Sequence, residues 1–162
     1  GDVMLHGSAP AKEAALDAVV EIGGELSAEQ IARALKGADP AFSIKAFQSL
    51  SKVRVPAVID ICVKALSDSC VEVRCAAIEA IGQLGGGCAI LELVRVATRR
   101  GSTTEERVAA VEALEHTGRP EVLQHLDDIA RRRPLIGRRG YEAVRSAAQR
   151  AAEEIRRADS AA

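Results

Sequence analysis

Aromatic side chains are nearly absent from this chain of 162 residues, which holds no Trp, one Tyr and two Phe. A β-sandwich or β-barrel is disfavoured, because its strands need aromatic and β-branched residues in short alternating runs. DNA glycosylases of helical-repeat architecture and other proteins that stack bases on aromatic rings are disfavoured by the same shortage. The net charge is only −1, so the chain as a whole does not attract nucleic acid or anionic lipid.

Patterns for export, membrane insertion and metal binding are also missing. The sequence has no signal peptide and no apolar run near the roughly 18 residues of a membrane span. The four cysteines lack the paired Cys-x2–4-Cys spacing of zinc sites. We therefore expect a soluble, reduced, cytoplasmic protein without metal or cofactor. Because Gly1-Asp2-Val3 before Met4 is unlike a natural start, we also expect a fragment of a longer protein.

Catalytic motifs are missing as well. The three His lie outside any His-Glu-x-x-His zinc motif, and the glycines at 85–87 lack the Lys-Ser/Thr of a phosphate loop. No Ser or Cys lies in a recognisable nucleophile elbow. We expect this chain to have no enzymatic activity.

Small and aliphatic residues are abundant: 48% of the chain is hydrophobic, and 30 residues are Ala. Ala, Leu, Glu and Arg favour helices, which predicts an all-α protein. One apolar pattern recurs with spacings of 31, 31, 33 and 38 residues, at Leu16, Phe47, Ile78, Val111 and Gln149, where the polar Gln149 is the exception. Two columns of small residues accompany it and would let neighbouring helices approach closely. These columns are Ala15, Ala46, Ala77, Ala110 and Ala148, and Ala18, Ser49, Ala80, Ala113 and Ala151.

Helices of a second kind alternate with the recurring ones. One is predicted to begin at a capping box formed by Ser27 and Gln30, and another has Pro56 in its first turn. The sequence predicts nine helices, at about 10–23, 27–37, 42–53, 56–67, 71–84, 88–99, 104–116, 120–132 and 141–157. We call the recurring helices, at about 10–23, 42–53, 71–84, 104–116 and 141–157, the second helices, and the others the first helices. Such an alternation at this period is typical of an α-solenoid.

Between Leu66 and Gly85, Asp68 follows a first helix, Val73-Arg74 opens the second, and small and apolar residues follow. With these features the stretch resembles a HEAT repeat of the short bacterial kind found in phycobilisome-lyase-like proteins. The resemblance implies a single domain over residues 1–162, built as a right-handed α-solenoid that serves as a protein-binding scaffold. It also implies that a basic column at the start of the second helices is structural, with Arg74 laddering to Asp68. The aligned residues are Lys12, Ser43, Arg74, Arg107 and Arg145.

Polar residues four positions apart recur on the second helices and predict one mildly acidic row on the concave side of the solenoid. We interpret the row, called the second-helix ridge, either as a groove for a partner helix or basic segment, or as an ordinary solvated helix face. The ridge comprises Asp17, Glu21, Gln48, Lys52, Glu79, Gln83, Glu112 and His116.

An insertion before the last helix is rich in arginine and predicts a loop, called the arginine loop. Arginine forks favour carboxylate or phosphate partners, and insertions in repeat proteins often carry binding sites. The alternative is a solvated loop in which Leu135 and Ile136 fill the space beside the final helix pair. The candidate residues are Arg131, Arg132, Arg133, Arg138, Arg139 and Tyr141.

Three functional hypotheses follow from these features. The first is a non-enzymatic scaffold that binds another protein or a flanking domain through the second-helix ridge. The second is binding of phosphate or nucleic acid by the arginine loop, although the shortage of aromatics and of net charge disfavours nucleic acid. The third is a lyase-like accessory subunit of a cofactor enzyme. Because the first recurring helix lacks a preceding partner helix, we also expect the N-terminal edge to contact another domain or subunit.

Overall fold

Nine helices and no strand make up the described part of the chain, which in this computed structural model comprises residues 7–53, 55–132 and 138–161. The all-α prediction is therefore confirmed. The helices are α1 (Ala9–Ile22), α2 (Gly24–Ala34), α3 (Pro40–Leu50), α4 (Pro56–Ala65), α5 (Val71–Leu84), α6 (Gly87–Thr98), α7 (Thr104–His116), α8 (Val122–Arg131) and α9 (Arg138–Ser160). The chain divides into two compact units between Leu84 and Gly85.

The first unit contains α1 to α5 in two layers. The second helices α1, α3 and α5 lie side by side, and the first helices α2 and α4 contact each other beside them. The recurring apolar pattern supplies the centre of this core, because Leu16, Phe47 and Ile78 are all buried. Val58 and Cys62 of α4 are fully buried as well. The repeat register read from the sequence thus places the same position of α1, α3 and α5 in the core.

The second unit contains α6 to α9 and repeats this plan. The second helices α7 and α9 are in contact, α6 packs against α7, and α8 packs against α9. Its core contains Leu93 of α6, Leu114 of α7 and Leu126 of α8, all fully buried. Gly140 allows the start of α9 to approach α7 closely, because a Cβ atom there would lie 2.5 Å from the Thr104 hydroxyl oxygen.

The small-residue columns lie where the second helices stack. Ala46, Ala77, Ala110 and Ala148 are each 0% exposed. Alanine at these positions keeps the helix axes close, as ridge-into-groove packing requires. The exception is α1, where the matching positions are half-buried or exposed.

Helix starts follow capping chemistry, with one correction. The Asp39 carboxylate accepts a hydrogen bond from the Phe42 amide at 2.9 Å and begins α3. The capping box predicted at Ser27 is wrong, because α2 begins at Gly24 and the Ser27 hydroxyl donates back to the Gly23 carbonyl at 2.6 Å. Gly23 and Gly24 both have positive φ, which lets the chain re-enter a helix immediately after α1.

A true capping box begins α7. The Thr103 hydroxyl oxygen accepts from the Glu106 amide at 3.2 Å, and the Glu106 carboxylate accepts from the Thr103 amide at 2.5 Å. Glu106 is only 1% exposed. This reciprocal pair satisfies two amides that no helical carbonyl reaches.

The basic column is structural at two of its positions. Arg74 donates to the main-chain carbonyls of Asp68 and Ser69, at 2.7 and 3.1 Å. Arg107 donates in the same way across the α6–α7 turn, to carbonyls at residues 97, 99 and 102. Arg107 thus caps carbonyls at the end of α6, whereas Arg74 donates to carbonyls of the turn after α4. The Asp68 carboxylate itself accepts a hydrogen bond from the Cys70 amide at 2.8 Å.

Candidate functional site

Six members of the second-helix ridge lie in the first unit, and all six side chains are exposed. Asp17 and Glu21 lie on α1, Gln48 lies on α3, and Glu79 and Gln83 lie on α5. Residues four apart on a helix share one face, so each pair presents its polar groups together. The sixth member, Lys52, lies in the turn after α3 rather than inside the predicted helix 42–53, because α3 ends at Leu50.

The charges of the first unit alternate between neighbouring helices. Glu13 precedes Asp17 by one helical turn on α1, and it forms an ion pair with Lys45 of α3. The α1 row is therefore acidic, whereas Lys45 and Lys52 make the α3 row basic. Opposite rows attract across the α1–α3 contact, although an exposed pair of this kind contributes only about 0.2–1 kcal/mol.

The two remaining members of the ridge lie on α7 of the second unit. Glu112 and His116 are both exposed. Glu112 borders a groove of about 220 Å³ between α7 and α9, which we call the acidic groove. Its lining residues are Glu112, Glu115, Ala147, Arg150, Glu153 and Glu154.

The acidic groove carries four carboxylates against one guanidinium. Arg157 approaches two of the carboxylates from outside the lining, at 2.8 Å from Glu154 and 3.9 Å from Glu153. Within the described ranges, Glu112 and Glu115 make no ion pair. The structure therefore places Glu112 in a locally negative environment, in which it and Glu115 form no ion pair with a described residue.

A second groove, of about 790 Å³, lies between α8 and α9, and we call it the arginine groove. It brings together Arg131 and Tyr141, the two ends of the predicted arginine loop. Arg145 and Arg156 also line it, and sequence reasoning did not assign them to this site. Both could have been predicted from helical spacing, because Arg145 follows Tyr141 by four residues and Arg156 lies three turns after Arg145 on the same helix.

Charge in the arginine groove is partly neutralised. Arg156 forms a bidentate contact with Asp127, at 2.7 and 2.8 Å. The Tyr141 hydroxyl donates to the Ala130 carbonyl at 3.5 Å. Arg131 and Arg145 are exposed, and neither forms an ion pair with any residue that the structure describes.

The predicted extent of the arginine loop needs one correction. Arg138 and Arg139 belong to the first turn of α9, which begins three residues before the predicted start of the last helix. Arginine is a good helix former, so the helix extends back over both residues. Arg132 is exposed immediately after α8, whereas Arg133 lies outside the described residues, as do the side chains of Arg138 and Arg139.

The remaining chemistry-bearing groups form no cluster. In the described ranges, no three His, Cys, Asp or Glu side chains are placed to hold a metal ion. Burial raises the pKa of the Cys62 thiol to about 12, so this thiol stays protonated near neutral pH and is a poor nucleophile. No helix in the described part of the chain is long and apolar enough to cross a membrane.

Comparison with known proteins agrees with this architecture of alternating helices. A family model for HEAT repeats matches residues 27–100 and again residues 62–141. No protein of curated function matches the sequence. HEAT repeats are helix pairs that stack into α-solenoids, as the sequence pattern predicts. The phycobilisome-lyase-like subtype stays a prediction. The two matches together cover well over half of the sequence, and the chain therefore belongs to the HEAT-repeat family.

Proposed function

We propose that the chain is a non-enzymatic scaffold that binds another protein through the second-helix ridge. HEAT repeats commonly serve as protein-interaction scaffolds, and the family is generally non-catalytic. Solenoid repeats present extended surfaces built from equivalent positions of successive helices. The exposed polar residues of α1, α3, α5 and α7 occupy such equivalent positions. Four free cysteines support a reducing, cytoplasmic setting for this activity.

The acidic groove is the observation that carries this proposal. Glu112 and Glu115 lie beside Ala147, whose small side chain leaves room between α7 and α9. Four carboxylates against one guanidinium give the groove a negative potential, which attracts a basic segment and raises its rate of association. The proposed partner segment therefore carries Lys or Arg, and the groove receives one such side chain.

Charge reversal on the ridge tests the proposal. The variant carries Asp17→Lys, Glu79→Lys and Glu112→Lys, all at exposed positions where folding should be unaffected. The immobilised chain and the variant are compared for proteins retained from the native host and identified by mass spectrometry. We expect the partner retained by the unmodified chain to be lost from the variant.

A matched control keeps the same change in charge but leaves the ridge intact. It carries Asp60→Lys, Asp128→Lys and Asp159→Lys, on exposed positions of α4, α8 and α9. The control should retain the partner. Equal retention by both variants would contradict the ridge as the binding surface, and loss from both would show that only total charge matters.

A second candidate function is supported by the arginine groove. Arg131 and Arg145 line one groove and form no ion pair with a described residue, and the planar guanidinium of arginine binds phosphate well. It predicts retention on heparin at low salt that is lost when Arg131, Arg132, Arg138, Arg139 and Arg145 become Ser. An unmodified chain that passes through heparin at low salt would exclude this function.

A further inference from the structure

An apolar groove of about 680 Å³ opens between the first helices α2 and α4, away from the second-helix ridge. We call it the α2–α4 groove. Phe47 of α3 and Val73 of α5 form its floor, and both are almost fully buried beneath it. Leu35 and Ile61 stand on its two walls and remain half-buried. Aliphatic side chains thus stay partly in contact with water at a concave site.

Small residues keep the walls of the groove apart. Ala32 of α2 and Ala65 of α4 both line it and are half-buried. Larger residues at these positions would fill the space between the two helices. The lining begins at Glu29 of α2 and continues past the end of this helix at Ala34 to Lys36 in the following turn.

The rim of the groove is mainly basic. Arg33, Lys36 and Lys64 line it with exposed side chains, and none of them forms an ion pair with a described residue. Arg33 and Lys64 lie in the last turns of α2 and α4, so these charges gather at one end of the groove.

Two carboxylates also line the groove, but they are placed differently. Asp68 accepts a hydrogen bond from the Cys70 amide at 2.8 Å and keeps its negative charge, so it offsets only one of the three cations. Glu29 lies one helical turn before Arg33, towards the opposite end of the groove from Lys36. The end formed by Arg33, Lys36 and Lys64 therefore favours a negatively charged occupant.

We propose that the α2–α4 groove binds an amphipathic helix of a partner protein whose aliphatic side chains are flanked by carboxylates. The apolar floor favours a peptide over a free phosphate or a nucleic-acid backbone, because neither of these buries aliphatic surface. A helix in a groove places anchors at positions i, i+3 or i+4, and i+7 on its apolar face. The partner's Asp or Glu side chains would then meet the basic rim, giving charge complementarity.

Fluorescence anisotropy with three labelled peptides tests this proposal on the full chain. The first probe is a helix with Leu on one face and Glu on the other. The second replaces every Glu with Lys, and the third keeps Glu but replaces every Leu with Ser. We expect saturable binding of the first probe, and at least tenfold weaker binding of the other two. Equal affinity for the Glu and Lys probes, or no saturable binding of the first, would overturn the proposal.

Variants assign the binding to this groove. Arg33→Glu, Lys36→Glu and Lys64→Glu together should weaken the first probe at least tenfold, and Ile61→Glu should do the same by placing a carboxylate in the apolar wall. The matched control carries Arg95→Glu, Arg100→Glu and Arg119→Glu, at exposed positions of the second unit that line neither the acidic groove nor the arginine groove. The control should bind the first probe normally. If it loses binding while the groove variants retain it, the peptide binds elsewhere and the proposal is wrong.

Discussion

Overpacking at the small-residue column gives a quantitative test of how the second helices stack. Ala77 of α5 is 0% exposed, so the additional carbon atoms of Ala77→Leu have no solvent-filled space to occupy. Inserting methylene groups into a close-packed site costs about 1–3 kcal/mol, through distorted rotamers and small backbone shifts. For a chain of this length, each kcal/mol lowers the melting temperature by about 2–4 °C. We therefore expect a melting temperature about 2–12 °C below that of the unmodified chain.

Circular dichroism at the helix minimum measures this change, during heating and during urea titration. The matched control is Ala18→Leu, in the second small-residue column but exposed on α1. Leu is nearly as good a helix former as Ala, so the control should change the free energy of unfolding by less than about 0.5 kcal/mol. An Ala77→Leu melt that coincides with the unmodified one would refute the stacking register. Equal destabilisation by both variants would show that exposure does not distinguish the two sites.

Three further predictions concern single contacts. Gly140→Ala should destabilise the chain by about 1–3 kcal/mol, although Ala favours helices more than Gly, because the new Cβ would clash with the Thr104 hydroxyl. In a urea titration, recovery of stability on adding Thr104→Ala would identify the clash. A Gly140→Ala variant more stable than the unmodified chain would contradict it. Arg107→Met should lower the free energy of unfolding by about 1–2 kcal/mol in the same assay, because Met keeps the aliphatic part of the side chain but lacks the donors to three carbonyls. An unchanged free energy of unfolding would mean that water solvates these carbonyls equally well. Alkylation of the native chain followed by peptide mapping should modify exposed Cys88 and spare buried Cys62, whose thiol has a pKa of about 12; equal labelling rates would contradict its burial.

Helix number and register could be read from the sequence because both depend on a repeated pattern. Leu16, Phe47 and Ile78 recur at a fixed spacing, and each lies on the buried face of its own helix. Each helix is thus constrained by its own apolar stripe and by the matching stripes of its neighbours. Pro56 and the glycine run at 85–87 then define starts that hardly depend on tertiary contacts.

Local signals were less informative where tertiary contacts decide the outcome. Ser27 has the spacing of a capping residue, yet it is buried within α2, and its hydroxyl bonds to a carbonyl. The start of α9 was predicted three residues too late, at residue 141, and the helix includes Gly140, which packs closely against Thr104.

The candidate surfaces were only partly predictable, for the same reason. Helical spacing is enough to identify Glu112 as an exposed ridge residue. The groove that it shares with Arg150 and Glu154 depends on how α7 and α9 lie together, which a single helical period does not contain. Likewise, the bidentate contact between Arg156 and Asp127 joins residues 29 positions apart.

Site-specific photocrosslinking tests most directly whether the second helices carry the binding surface. A benzophenone amino acid is placed at Glu112 on α7, and in separate variants at Asp60 on α4 and at Asp128 on α8, all exposed positions. After irradiation with the co-purified partner, we predict a crosslinked product from position 112 and none from positions 60 and 128. Crosslinks from positions 60 and 128, without one from position 112, would contradict the ridge as the partner-binding surface.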